Sequence, residues 1–226
     1  MILEENRTAS YIRSLYTGNT ELLDTIEQEA LRDYVPIIRV ETQSLLKLLL
    51  KQKKPRRILE LGTAVGFSAL LMCEYAPSDC HVTTIENYEK RIPVAKHNFE
   101  RAGKCDQITL LEGDAMEIIK TLDGPYDFIF VDAAKAQYIH YFPELMRLLE
   151  QDGYLVSDNV LQDGDLIQSR FAVERRNRTI HARMREYLYE LTHNQELTTS
   201  ILPVGDGVAV SVKDRKEEQL CDFRNY

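Results

Sequence analysis

Three oxygen-bearing side chains follow two short apolar segments of the sequence. Asp132 comes directly after the run 128–131, and Asp158 and Asn159 come shortly after the run 154–156. The carboxyl ends of parallel strands meet at one edge of a sheet, where open α/β sheets bind ligands. Two carboxylates and an amide oxygen suit a hard divalent cation. We therefore predict that Asp132, Asp158 and Asn159 bind magnesium, or alternatively manganese. The competing interpretation is that they only cap helices and strand ends.

Lys135 lies three residues after the first of these carboxylates. A lysine amine whose pKa is lowered by burial beside a cation can remove a proton from a substrate hydroxyl, and in its charged form it can hold the resulting oxyanion. We predict that Lys135 is the catalytic residue, and a solvated surface lysine is the alternative.

A loop containing two glycines, Gly62 and Gly66, joins the first apolar run to a helical segment. Glycines at such a turn let the backbone approach a ligand closely. The pattern is not the G-x-G-x-x-G of dinucleotide sites. A carboxylate at the start of the following helix, helped by the Ser68 hydroxyl, fits the loop equally well. S-adenosylmethionine carries such a carboxylate, whereas an ordinary strand-to-helix turn would need no ligand.

Two acidic residues at the ends of the next strands strengthen the prediction of a cofactor site. Glu86 follows Gly62 at close to the roughly 20 residues typical of an acid that binds ribose hydroxyls. Asp114 follows the third apolar run, where it can accept a hydrogen bond from an adenine amino group or cap the next helix. The predicted cofactor residues are Glu60, Gly62, Gly66, Ser68, Glu86, Gly113, Asp114, Ala115 and Asp132.

The elements that would position these residues alternate along the chain. Short apolar runs alternate with amphipathic helical segments from residue 57 onward, which is typical of βα units in a parallel sheet. A helical region, 4–52, precedes them. A charged helix over 173–193 and two strands joined by a glycine-containing loop follow, and we expect an antiparallel hairpin there. The predicted strands are 58–61, 82–85, 108–111, 128–131, 154–156, 199–202 and 208–212; the intervening helices are 68–74, 90–102, 115–122 and 141–149.

The composition indicates one globular domain. The chain has 226 residues, 44% of them hydrophobic and 28% charged, with a net charge of −8. We predict a single domain over 1–226, with a helical N-terminal cap (1–55), an α/β core (56–213) and a tail (214–226). No apolar run reaches the roughly 18 to 20 residues of a membrane helix, and the start does not resemble a signal peptide. We therefore expect a cytoplasmic protein with reduced cysteines.

Two basic clusters stand out in this acidic chain. The negative charge argues against a surface that coats nucleic acid, although a local patch can still dock one RNA. Such a patch would bind the phosphate backbone, whereas a basic run on a helix is often only its solvated face. The tentative RNA-binding residues are Lys53, Lys54 and Arg56 in one cluster and Arg175, Arg176 and Arg178 in the other.

Several of these motifs, in this order, resemble the metal-dependent O-methyltransferase family that includes catechol and caffeoyl-coenzyme A O-methyltransferases. The resemblance runs from about residue 36 to 213, and its pieces are 60–63, 85–86, 113–115, 130–135, 158–161 and 202–207. The resemblance implies a seven-stranded, Rossmann-like sheet with the last strand antiparallel, and S-adenosylmethionine as the cofactor. It also implies magnesium on Asp132, Asp158 and Asn159, with Lys135 as the base. The expected assembly is a homodimer.

Within the family, three segments are most similar to the bacterial enzymes that methylate 5-hydroxyuridine at the tRNA wobble position. These segments are 132–138, 158–164 and 175–180. The resemblance implies that a tRNA anticodon loop is the substrate. A catechol or a hydroxycinnamoyl thioester would use the same core and is the main alternative. A binding module without activity and a nicotinamide-dependent oxidoreductase fit the metal residues less well.

Overall fold

The computed structural model describes residues 7, 10–169 and 171–215, and it contains a seven-stranded sheet with strand order β3-β2-β1-β4-β5-β7-β6. Strands β1 to β5 are parallel, and β7 pairs antiparallel with both β5 and β6. The predicted sheet with an antiparallel last strand is therefore confirmed. The strands are β1 (Arg57–Leu61), β2 (His81–Glu86), β3 (Ile108–Glu112), β4 (Tyr126–Val131), β5 (Leu149–Ser157), β6 (Leu197–Leu202) and β7 (Val208–Lys213).

Helices cover both faces of the sheet. Successive strand residues point to opposite faces, so that Phe128 and Phe130 of β4 pack with the first four helices, whereas Ile129 and Val131 pack with the last three. Two apolar cores thus lie above and below one sheet. The helices are α1 (Glu21–Arg32), α2 (Val40–Lys53), α3 (Phe67–Tyr75), α4 (Ile92–Arg101), α5 (Ala115–Thr121), α6 (Tyr138–Leu148) and α7 (Arg178–His193).

The helix predicted over 173–193 begins five residues later, at Arg178, after a 3₁₀ turn at Arg175–Asn177. The Arg178 guanidinium donates hydrogen bonds to the carbonyl oxygens of Val173 and Phe171, at 3.3 and 3.4 Å. Because this side chain binds those carbonyls, the preceding segment is held as a loop. Two further 3₁₀ turns, Lys135–Gln137 and Gln162–Ile167, were not predicted.

The remaining expectations concern the ends of the chain, the membrane and the cysteines. Helices α1 and α2 lie within the predicted helical region, whereas residues 1–6, 8, 9 and 216–226, which include most of the predicted tail, lie outside the described residues.

Over the part of the chain that the structure describes, no helix has the length and apolarity needed to cross a membrane. Cys73, Cys80 and Cys105 are free thiols, and Cys221 lies outside the described residues.

Gly62 allows the ends of β1 and β4 to approach each other closely. Its φ is +99°, and a Cβ at this position would lie only 2.1 Å from the carbonyl oxygen of Asp132. A side chain here would therefore push apart the two strand ends that carry the predicted site.

We expect Gly62→Ala to abolish folding or to lower the free energy of unfolding by more than about 4 kcal/mol, since the clash involves backbone atoms. Gly103→Ala is the matched control, because Gly103 also has a positive φ, +62°, but no atom of the described residues lies within 4 Å of the point that its Cβ would occupy. Gly103→Ala should lower the free energy of unfolding by only about 1 kcal/mol. Equal losses in urea unfolding would contradict the close-packing role of Gly62.

Candidate active site

A cavity of about 640 Å³ opens at the carboxyl edge of the sheet. The ends of the five parallel strands and the segment before α2 form its walls. The structure brings most of the predicted site residues together here, because the parallel register places the carboxyl ends of β1 to β5 side by side. The predicted residues that line the cavity are Gly62, Ser68, Glu86, Gly113, Ala115, Asp132, Lys135, Asp158 and Asn159.

Asp132 and Asp158 are two carboxylates on adjacent strand ends; Asp158 is buried and Asp132 is partly buried. Burial raises the pKa of Asp132 to about 6, partly offset by the charge of Lys135. Burial also raises the pKa of Asp158 to about 7, and the negative charge of Asp132 adds to this increase. A divalent cation bound at this wall would stabilise the ionised form of both carboxylates.

The donor set at this wall fits a hard cation. Asp158 accepts two hydrogen bonds on its Oδ1 atom, from the backbone N–H of Asn159 at 2.8 Å and from the hydroxyl of Thr42 at 3.3 Å. Among the described residues, no group of three or more His, Cys, Asp or Glu side chains is placed so that it could hold a metal ion by itself. Two carboxylates with one amide therefore form an oxygen set, which suits magnesium or manganese better than zinc.

Tyr138 holds the two carboxylate-bearing segments together from behind. Its hydroxyl lies 3.2 Å from the carbonyl oxygens of Val131 and Asp158, and it accepts a hydrogen bond from the Ala133 N–H at 3.3 Å. The ring is fully buried. This contact fixes the end of β4 relative to the end of β5, and the distance between the two carboxylates depends on that geometry.

Glu86 is held rigidly at the end of β2. Its carboxylate accepts hydrogen bonds from the backbone N–H groups of Ala64, Asn87 and Tyr88, at 2.8, 3.0 and 2.8 Å. A carboxylate oxygen has more than one lone pair, so the group can still accept from a ligand hydroxyl. The contact with Ala64 also ties Glu86 to the glycine loop.

Three predicted cofactor residues do not line the cavity. Glu60 is fully buried behind the glycine loop. A Cβ at Gly66 would meet the Phe99 ring at 2.5 Å, so this glycine serves helix packing. Asp114 caps α5, because its side chain accepts from the N–H groups of Met116 and Glu117. The helix-capping interpretation of Asp114 is thus the one that the contacts favour.

The Ser68 hydroxyl does not point its proton at the cavity. It donates to Glu60, which also accepts from the Thr84 hydroxyl, and Thr84 in turn lies 2.6 Å from the Thr63 hydroxyl. Ser68 therefore belongs to a hydroxyl network around Glu60, and its help to a ligand carboxylate stays a prediction. Burial raises the pKa of Glu60 from its ordinary value of 4.5 to about 7.

This pKa gives a prediction for stability. Because the folded state binds the Glu60 proton more tightly than the unfolded chain does, the wild type should lose stability as the pH rises from about 4.5 to about 7. Glu60→Gln cannot ionise; its amide oxygen can accept from one hydroxyl and its NH₂ group can donate to the Thr84 oxygen, since Thr84 can in turn donate to Thr63. Relative to the wild type, it should gain about 3 kcal/mol across this window in chemical unfolding at a series of pH values. If the difference in unfolding free energy between Glu60→Gln and the wild type does not change with pH, the raised pKa of Glu60 is contradicted.

The two basic clusters lie at opposite edges of the sheet. Lys53 ends α2, and Lys54 and Arg56 precede β1, which puts this cluster at the amino edge, a strand length of roughly 15 Å from the cavity edge. Local contacts also engage it, since the Lys53 Nζ atom lies over the Tyr154 ring and Arg56 pairs with Asp79 at 3.6 Å. This position argues against a role beside the cavity.

The second cluster lies at the same edge as the cavity. It leads into α7, which is anchored beside the Lys135 turn by a hydrogen bond from Arg183 to the Ala136 carbonyl at 3.2 Å. Arg176 pairs with Glu174 at 2.7 Å, and Arg175 is exposed. The neighbouring Phe171 side chain is 83% exposed. Cations and an exposed aromatic ring therefore lie at the same edge of the sheet as the cavity, although none of these side chains lines it.

Sequence reasoning missed several residues that contribute to the site. Arg39, Tyr88, Arg91 and Tyr141 line the cavity, and Asp206 joins them from the loop before β7. Asp206 falls within the motif 202–207, so a signal existed, but it indicated no role. The others come from elements distant in sequence or from helix faces without a distinctive pattern.

Comparison with known proteins places this fold and site in a family. The sequence matches the O-methyltransferase family over residues 13–214. The chain therefore belongs to that family.

Particular relatives carry catechol and caffeoyl-CoA names. A catechol O-methyltransferase of Niastella koreensis is 36% identical, and the match covers 54% of this chain and 57% of that enzyme. A catechol O-methyltransferase of Mycobacterium tuberculosis is 35% identical, and the match covers 59% of this chain and 62% of that enzyme. The match thus spans less than two thirds of these two enzymes. Caffeoyl-CoA O-methyltransferase 1 of Eucalyptus globulus is 31% identical over 73% of this chain and 70% of its own.

Solved structures agree with the fold. A Staphylococcus aureus protein assigned as a caffeoyl-CoA O-methyltransferase superimposes with a TM-score of 0.83 at 32% identity, covering 90% of this chain and 98% of its own. A Podospora anserina methyltransferase solved with SAH bound gives a TM-score of 0.82 at 26% identity, covering 94% and 96%.

Proposed function

We propose that this protein transfers a methyl group from S-adenosylmethionine to the 5-hydroxyl of 5-hydroxyuridine in tRNA, with the help of a divalent metal. The observation that carries the methyltransferase part is the pair of buried carboxylates beside Lys135, in one cavity of an O-methyltransferase fold. The arginine cluster at the cavity edge supports the RNA part. A homodimer in the cytoplasm remains part of this proposal.

The cavity suits S-adenosylmethionine in size and in its polar groups. Its volume of about 640 Å³ falls within the range of roughly 300 to 1,000 Å³ that small-molecule sites occupy. Glu86 would accept hydrogen bonds from the ribose hydroxyls. Helix α3 begins at the cavity wall, where its first N–H groups and the positive end of its dipole would attract the carboxylate of the amino acid part.

The chain's own groups would then prepare the substrate oxygen. A bound divalent cation would favour the ionised form of a hydroxyl that chelates it. Asp132, Asp158 and the Asn159 amide would hold that cation, and Lys135 would take the hydroxyl proton or hold the oxyanion. In the transfer, an oxygen–carbon bond forms and the carbon–sulfur bond of the sulfonium breaks. Correct placement of the two reactants supplies much of the rate.

The substrate proposal rests on a pair of adjacent oxygens. In 5-hydroxyuridine the 5-hydroxyl lies beside the 4-carbonyl, which is the same two-oxygen arrangement that a catechol offers to a metal. A wobble base is unpaired, so it can enter a pocket at lower cost than a base taken from a duplex. The arginines at the cavity edge would bind the phosphates, and the exposed Phe171 ring offers a surface on which a base can stack.

A small-molecule substrate is the second candidate. The names of the relatives favour a catechol or a caffeoyl-CoA-type thioester, and both present two adjacent oxygens on a ring. A catechol would need the cavity but not the arginine cluster, whereas the phosphates of a CoA thioester could also bind those arginines.

Nucleoside mass spectrometry separates the two candidates. We expect tRNA that carries 5-hydroxyuridine to gain a methyl group when incubated with the protein, S-adenosylmethionine and MgCl₂. Conversion should stop when a chelator is added. Lys135→Met should reduce the rate by roughly 10²- to 10⁴-fold, as expected for loss of a general base. Unmodified tRNA together with efficient methylation of caffeic acid would reject the tRNA proposal in favour of the second candidate.

The two basic clusters provide a structural test of RNA binding. Arg175→Ala with Arg176→Ala should weaken tRNA binding at low salt and lower the slope of log K against log salt by about 1 for each lost phosphate contact. The matched control, Lys54→Ala with Arg56→Ala, removes two charges at the opposite edge and should change binding little. If the two double variants weaken tRNA binding equally, the arginine cluster at the cavity edge has no special role in binding tRNA, and the RNA part of the proposal loses this support.

A further inference from the structure

The turn Gly205-Asp206-Gly207 between β6 and β7 is bound to the segment that follows Asn159. The N–H groups of Val160 and Leu161 donate to the carbonyl oxygens of Gly207 and Asp206, both at 2.9 Å. A Cβ at Gly207 would lie 2.3 Å from the Leu161 side chain. The close packing leaves the turn little freedom to move relative to the predicted metal ligand.

The Asp206 side chain reaches two partners across the cavity wall. One carboxylate oxygen pairs with the Arg39 guanidinium at 2.6 Å, and the other accepts a hydrogen bond from the Asn159 amide nitrogen at 3.4 Å. The Asp206 side chain is only 11% exposed. A buried carboxylate of this kind requires a compensating charge, and Arg39 supplies it.

The contact with Asn159 determines which end of the amide is presented to a cation. An ionised carboxylate only accepts hydrogen bonds, so the amide must turn its NH₂ group toward Asp206. Its carbonyl oxygen is then the atom left for another partner. A hard cation binds amide oxygen. Without Asp206, the amide could rotate and present its NH₂ group, which repels a cation.

We propose that Asp206 is a positioning residue that selects the oxygen of the Asn159 amide for metal binding, with Arg39 as its counter-ion. This inference rests on the metal-dependent function proposed above. Arg39 lies directly before α2, and Thr42, in the first turn of that helix, donates to the Asp158 carboxylate at 3.3 Å. The start of α2 therefore supports both Asp158 and Asn159, and the N-terminal cap forms part of the metal site.

The test is a titration of the full-length protein with MnCl₂, followed by the EPR signal of free Mn²⁺, which needs no catalytic activity. Asp206→Ala should weaken Mn²⁺ binding by roughly 10- to 100-fold, as loss of a residue that orients a ligand typically does. Asn159→Ala should also weaken binding. In the Asn159→Ala background, adding Asp206→Ala should cause no further loss, because its effect acts through that amide.

Glu29→Ala is the matched control, since it removes a carboxylate from an ion pair of the same length, 2.6 Å to Arg101, away from the metal residues. It should bind Mn²⁺ like the wild type. Asp206→Asn keeps the size of the side chain and serves if the alanine variant does not fold. It should bind Mn²⁺ more weakly than the wild type, because an amide at 206 no longer dictates the orientation of Asn159.

Unchanged Mn²⁺ binding by the Asp206 variants, or an additive loss in the double variant, would overturn the inference alone. A wild type that does not bind Mn²⁺ would overturn the metal-dependent function and the inference with it.

Discussion

Two carboxylates, those of Asp132 and Asp158, lie at the ends of adjacent strands at one wall of the cavity. Removing an ionised carboxylate from water costs free energy, and burial therefore raises the pKa of Asp132 to about 6. Burial, with a further contribution from the charge of Asp132, raises the pKa of Asp158 to about 7. Such a pair persists in a fold when its function uses it. A divalent cation would reverse the sign of the interaction, so that the arrangement becomes an attractive site for a metal and a chelating substrate.

Much of the surrounding structure maintains this pair. The parallel pairing of β4 and β5 brings the two strand ends together, and the Tyr138 hydroxyl contacts the backbone of both segments. Gly62 lets β1 approach β4 without a steric clash. The loop before β7 and the start of α2 then hold the other side of the wall through Asp206 and Thr42. Elements that are remote in sequence thus support one local electrostatic arrangement.

The sequence was most informative where chemistry and periodicity coincide. Asp132, Asp158 and Asn159 could be predicted to converge, because residues after parallel strands must lie at one edge of the sheet. The same rule argues against the first basic cluster: Lys54 and Arg56 precede β1 and so had to lie at the opposite edge. The start of α7 was placed too early, because the pattern of side chains did not show that Arg178 binds the carbonyls before it.

Other parts of the site depend on contacts that no local pattern contains. The Ser68 hydroxyl, which lies at the cavity wall, donates to Glu60, which is buried behind the loop, and only the packed structure shows this contact. Thr42 and Asp206 contact the predicted metal ligands Asp158 and Asn159 across long sequence separations, and Arg39 pairs with Asp206. Their residue types are common in loops and helix starts. Only the three-dimensional arrangement distinguishes these positions from ordinary caps and surface ion pairs.

The central claim is that the buried carboxylate pair is a cation site, and its most direct test is a crystal of the protein grown with MnCl₂, measured at the manganese absorption edge. The account predicts one anomalous peak in the cavity, coordinated by oxygen atoms of Asp132, Asp158 and Asn159. A cavity without a peak at saturating Mn²⁺, or a peak coordinated by other residues, would contradict it.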